Sequence, residues 1–237
     1  MADARRRRAA AVAAAVLAVT GCSLRPSPPP AAPPPAAALA LDPARTEVLV
    51  RVYREGPLAA VGHNHVITAT AVEGSVTPAA GGEYAFALRL PVAAFVVDDP
   101  AARARAGADF AAPVDDAARA GTRGNLLGPR LLDAERFPAI GLVGRTVTGP
   151  DGTRSLDIAI TVRDVTRPFR IPVTVEAAPD GPRLRGALRV THAELGLEPF
   201  SVMGGMLRVR DELGIEFVAG LGAGGVSAAG AGPVAAR

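Results

Sequence analysis

Three histidines carry most of the chemistry this sequence offers, and two of them sit two residues apart in Gly62-His63-Asn64-His65. On an extended chain residues i and i+2 face the same side, so His63 and His65 present two imidazoles to one metal ion or one polar headgroup. His192 shares strand parity with Leu184, Leu188 and Val190, and Asp211 with Leu207, Val209 and Ile215, which turns both inward. Three imidazoles and a carboxylate are a donor set suited to zinc, and an open position on such an ion activates water. The competing reading is that each histidine caps a strand end or bonds neighbouring backbone, since no established metal-ligand spacing is matched. The chain holds no G-x-S-x-G, no P-loop and no dinucleotide fingerprint. Asp115 and Asp116 are adjacent, which on a helix points them about 100° apart, the habit of a solvated face.

Cys22 is the only cysteine, so it makes no internal disulfide. It follows four arginines, Arg5 to Arg8, and a run of small or apolar residues from Ala9 to Thr20. That run is shorter than the roughly 20 residues a membrane-spanning helix needs, and the pair of features matches the charged and apolar regions of a secretory signal. Val19-Thr20-Gly21-Cys22 resembles the bacterial lipobox. The expectation is an exported lipoprotein: residues 1–21 are removed, and Cys22 is acylated to anchor the chain on the periplasmic or extracytoplasmic side. Ser23 stands where an inner-membrane retention signal has Asp, which points to the outer membrane in a cell with two.

The formal charge of +3 comes entirely from residues 1–21, leaving 22 basic and 22 acidic residues in the remainder. A neutral chain lacks the surplus positive charge that nucleic acid requires, and no polybasic patch marks it for anionic lipid. Residues 22–41 are largely Pro and Ala, a composition that favours an extended stalk without a core. Residues 221–237 are mostly Gly, Ala and Ser, too poor in large apolar side chains to offset their ordering entropy. Residues 42–220 are enough for one domain.

Within that span the dominant pattern is alternation of period two, the mark of strands with one buried face. Eight segments show it, near 46–54, 65–73, 83–92, 139–148, 154–163, 168–176, 183–192 and 206–218. Gly81-Gly82, Pro150-Asp151-Gly152 and Pro179-Asp180-Gly181-Pro182 supply hairpin turns. The expected fold is all-β, an eight-stranded antiparallel up-and-down barrel of lipocalin type, which leaves no open edge. Residues 98–132 interrupt it between the third and fourth strands, with helix expected over 101–106 after Asp98-Asp99-Pro100 and over 114–120. An insertion of this length is usually functional, and we place it over one barrel mouth as a lid or portal. Inward parity selects Tyr84, Phe86, Leu88, Ile158, Ile160, Phe169, Ile171 and Val173 as lining residues, with Phe95 just before the insertion and Phe110 within it.

Asp133-Ala134-Glu135-Arg136-Phe137-Pro138-Ala139-Ile140, followed by Thr161-Val162-Arg163-Asp164-Val165-Thr166-Arg167-Pro168-Phe169, resembles the YceI-like family of periplasmic polyisoprenoid-binding proteins. Leu195-Gly196-Leu197 and Val209-Arg210-Asp211-Glu212 are similar to that family's closing strands. The resemblance implies a lipocalin-like barrel that holds a polyisoprenoid or isoprenoid quinone without turnover and needs no cofactor. Its partners would be that apolar lipid and the membrane. Thr122-Arg123-Gly124-Asn125 and Leu131-Leu132 replace an Arg-Asp pair and aromatics of the family, so the portal differs in shape or ligand. Two other readings stay open: a metal-binding module or metal-dependent enzyme using His63, His65 and His192, and a structural envelope protein whose barrel is solid.

Overall fold

The computed structural model describes residues 38–222. The expected signal segment and Cys22 lie outside them, as do the linker up to residue 37 and the tail from residue 223. Period-two alternation becomes β1 (Glu47–Glu55), β2 (His65–Ala69), β3 (Glu73–Pro78), β4 (Tyr84–Pro91), β5 (Val96–Val97), β6 (Ala139–Thr148), β7 (Arg154–Val162), β8 (Val165–Glu176), β9 (Arg183–Thr191), β10 (Ser201–Val202) and β11 (Leu207–Gly220). The sheet runs β3-β4-β6-β7-β8-β9-β11-β1-β2-β5, with β10 on β11, and its neighbours are antiparallel. Strands β2 and β3 are two halves of one path: β2 pairs with β1, the chain bends over residues 70–72, and β3 pairs with β4. Counted so, eight long strands follow one another around a ring, which is the expected up-and-down barrel; β5 and β10 are two-residue additions.

Two glycines let the wall curve. Phe86 stands directly opposite Gly144, and Phe217 opposite Gly186. A Cβ on Gly144 would meet Asp157 O at 2.3 Å, and one on Gly186 would meet Phe217 Cζ at 2.4 Å. Each aromatic ring thus covers bare backbone on the neighbouring strand, the device that stabilises glycine kinks in curved sheets.

The barrel base is clasped by Arg45, whose Nε donates to Asp42 Oδ2 at 2.7 Å and whose Nη2 donates to the carbonyls of Asp180 and Leu221. Isolated bridges from Leu39 to Val76 and from Leu41 to Leu221 add residues on both sides of the expected 42–220 span to the sheet. The outer wall carries cross-strand ion pairs such as Arg170–Asp157 and Arg51–Glu216. A polar exterior is the reverse of the apolar-out pattern of a membrane-spanning barrel.

The insertion forms α1 (Pro100–Ala106) and α2 (Asp116–Leu127). Asp99 caps α1 by accepting from Ala102 N, with Pro100 at the first helical position, and Asp115 caps α2 by accepting from Ala118 N. Helix α2 runs seven residues past the expected end at 120, through Gly121 and Gly124. Each glycine weakens a helix by roughly 1 kcal/mol against alanine, and burial of Leu126 in the main core offsets that loss.

Candidate ligand-binding site

The barrel interior is hollow and divided. An inner chamber of about 210 Å³ extends down to the stopper formed by Leu41, Pro182 and Leu221. An outer chamber of about 480 Å³ opens beneath α2 and the loops bearing Val61 and Phe200. Val50, Ile67, Phe95, Ile140, Val162, Leu195 and Ile215 border both, so the chambers abut along the barrel.

Among the described residues no charged side chain lines the inner chamber; its polar groups are Thr46, Thr146 and Tyr84. Both threonine hydroxyls are already committed to backbone, Thr146 Oγ1 accepting from Tyr84 N at 2.8 Å and Thr46 Oγ1 from Gly220 N at 3.3 Å. Of the residues expected to face the interior, Tyr84, Phe86, Leu88, Phe95, Ile158, Ile160 and Ile171 border this chamber. Phe169 and Val173 do not: they point inward but are absorbed in a packed cluster with Leu156, Ile158 and Ile171, where Val173 also fills the space above Gly186.

Phe110 is the larger correction. It lies outside the barrel, 1% exposed, in a second core with Leu49, Val66, Ala102 and Ala106, and its ring meets Tyr53 at 5.3 Å. The cause is legible in β1, where Glu-Val-Leu-Val-Arg-Val-Tyr carries apolar residues on both faces, so its outer face needs cover as well. Phe110→Leu is therefore expected to lower unfolding free energy by about 1 kcal/mol, a cavity-forming change, while leaving the affinity for an interior ligand unchanged; denaturant titration and a binding isotherm check the two halves.

All three histidines border the outer chamber. The anchor for His65 is Asp98, a residue read from sequence only as part of a helix start. Asp98 is wholly buried at a positive φ of 55°. Its Oδ2 accepts from His65 Nδ1 at 2.6 Å, and its Oδ1 accepts from Val66 N at 2.9 Å and Arg103 Nη1 at 2.6 Å. Arg103, itself buried, also donates to the carbonyls of Asn64 and Ala112. Burial pushes the Asp98 carboxyl up, but the bonds from His65, Val66 and Arg103 outweigh it and hold the group below the ordinary carboxylate range. With Nδ1 spent on Asp98, His65 turns Nε2 toward Thr122 Oγ1 at 3.4 Å. The network ties the start of β2 to the insertion that roofs the outer chamber.

The zinc set kept as an alternative reading is not assembled among the described residues. His65 is held on Asp98, and His192 is held through Nδ1 on the carbonyl of Asp211 at 2.8 Å. The His63 and His65 rings stand 6.2 Å apart. Asp211 is exposed, because β11 carries two extra residues against β1 between the Val52–Leu213 and Arg54–Val209 pairs. Such a bulge keeps Leu213 and Ile215 in phase and throws Asp211 outward. Among the described residues no group of three or more His, Cys, Asp or Glu is arranged to hold a metal ion.

The Asp133–Ile140 segment is a structural corner. Asp133 is buried at a φ of 49°, its carbonyl accepts from Arg136 N and Phe137 N, and the Phe137 ring is flanked by Arg136 and Arg163 at 5.0 and 5.6 Å. That corner binds the end of the insertion to the β7–β8 hairpin. The YceI-like domain model matches residues 39–221, the whole barrel from its base bridges to the stopper. The chain belongs to the YceI-like family. The YceI-like barrel also matches the crystal structure of Burkholderia cenocepacia BcnA, with a TM-score of 0.53 at 14% identity, over 76% of this chain and 98% of that one. The Campylobacter jejuni YCEI protein aligns with a TM-score of 0.46 at 9% identity, over 65% of this chain and 83% of that one. No curated protein matches the sequence. The outer chamber's lining includes Thr122, Asn125, Leu131 and Leu132.

Proposed function

We propose that this YceI-like protein is a non-enzymatic binder of a long apolar lipid, an isoprenoid or isoprenoid quinone, which it stores or carries in the cell envelope. The observation that carries the reading is the inner chamber, lined by no charged side chain among the described residues, abutting a wider outer one. Burial of apolar surface there is worth about 25 cal/mol per Å², so a tail several isoprene units long gains affinity without any specific polar contact. The combined space falls within the range of about 300–1,000 Å³ usual for ligand pockets. A solid structural barrel would leave no such space. Calorimetric titration with farnesol is expected to show saturable binding with a negative heat-capacity change, the mark of buried apolar surface. Absence of binding across a range of temperatures would count against the reading.

The lipobox-like Val19-Thr20-Gly21-Cys22 supports tethering at the periplasmic or extracytoplasmic face, with the Pro-rich segment as spacer. In a bacterial host fed labelled palmitate, the full chain is expected to take up label and fractionate with membranes. Cys22→Ala should lose the label entirely and the membrane association with it. Labelling that survives the substitution would remove the tether from this account.

A further inference from the structure

The two chambers differ in charge as well as size. Arg54, His63, His65, His192 and Arg208 all border the outer chamber, and among the described residues no aspartate or glutamate does. The acidic groups close by are already occupied. Asp98 is buried on Arg103 and His65, Glu55 pairs with Arg208 at 3.1 Å, and Asp211, exposed outside the chamber, accepts from Ala193 N and stands 3.8 Å from His192 Nδ1. Arg54 is different: its guanidinium's one hydrogen bond among the described residues is to the neutral carbonyl of Gly62. A half-buried guanidinium facing a cavity keeps donors to spare. The Nε2 edge left over at His192, whose Nδ1 is on the Asp211 carbonyl, is compatible with either kind of partner, accepting from a hydroxyl when neutral and donating to an oxyanion when protonated. Arg54 therefore sets the preference.

We propose that the outer chamber receives the anionic head, a carboxylate or a phosphate, of an amphiphile whose tail fills the inner chamber. This rests on the lipid-binding reading and names the head its ligand carries. A carboxylate or phosphate gains charge-assisted hydrogen bonds from Arg54, which are roughly twice as strong as neutral ones. An ammonium head at the same depth meets a like charge, and among the described residues no carboxylate borders the chamber to pair with it.

Four probes with one twelve-carbon tail separate the possibilities: dodecanoate, dodecyl phosphate, dodecanol and dodecylamine, titrated calorimetrically into the protein. Both anions are expected to bind at least about tenfold more tightly than the alcohol, with the amine weakest. Arg54→Gln, which can still donate to Gly62, should erase the anion advantage, bringing both anions to the alcohol's affinity for the same variant; a urea unfolding transition as cooperative as the parent's shows that the barrel is intact. An amine that binds as tightly as the anions, or an order of affinities untouched by Arg54→Gln, would overturn the headgroup assignment alone. Failure of all four probes to bind would overturn the lipid-binding reading and the headgroup assignment together.

Discussion

Asp98→Ala is expected to cost about 3–5 kcal/mol of unfolding free energy, the usual penalty for removing one partner of a buried ion pair. The alanine leaves Arg103 as an uncompensated buried charge, since its other two acceptors are the neutral carbonyls of Asn64 and Ala112. Val66 N, buried in β2, loses its bond to the Asp98 side chain, and His65 loses the acceptor that orients its ring. Asp98→Asn keeps an acceptor oxygen for Val66 and Arg103 and should cost less. Urea titration of the three proteins measures the order. The same carboxylate makes stability depend on pH. Its folded pKa is held below the unfolded value of about 3.9, so its contribution is fully present above about pH 4 and is lost as the pH falls through the lower folded value. The parent protein should therefore weaken more steeply than Asp98→Asn on acidification below about pH 4. Parallel pH profiles for the two would show that the charge on Asp98 does not stabilise the fold.

Ile160→Trp is expected to fold and to bind an isoprenoid more than a hundredfold less tightly. Ile160 lies on β7 and borders the inner chamber, so the larger side chain enters space that the tail would occupy. Excluding one five-carbon unit forfeits about 4 kcal/mol at roughly 0.8 kcal/mol per buried carbon. In a solid core the same substitution would overpack the interior and cost about 1–3 kcal/mol in stability; in a hollow one the cost is smaller, because the indole has somewhere to go. Stability and affinity measured on one preparation distinguish the cases. A strongly destabilised variant with no ligand-binding parent would mean a solid barrel. The contrast with Phe110→Leu is informative, since that residue is more deeply buried yet lies outside the chambers.

The barrel was legible because alternation on strands such as Leu156-Asp157-Ile158-Ala159-Ile160 records directly which face is dry. Bends and bulges were not. The break after Ala69, across which the inward positions pass from Ile67 and Ala69 to Val72 and Val76, and the two extra residues near Asp211, which leave Val209 and Leu213 in phase, are both decided by pairing with distant strands. The length of α2 was hidden by Gly121 and Gly124, whose unfavourable propensity is overridden by tertiary burial of Leu126. Asp98 left a clue that went unused: of two adjacent carboxylates before Pro100 only one can cap α1, and Arg103 follows five residues on. All three histidines border one cavity, but the bonding partners of His65 and His192, a side chain 33 residues away and a carbonyl 19 residues away, have no local signature.

The protein purified from its own cells without detergent, then examined by native mass spectrometry and solvent extraction, tests lipid binding most directly. About one isoprenoid molecule per chain is the predicted result, and its extracted mass would identify the lipid. An empty protein that also refuses added polyprenols and quinones would contradict the account.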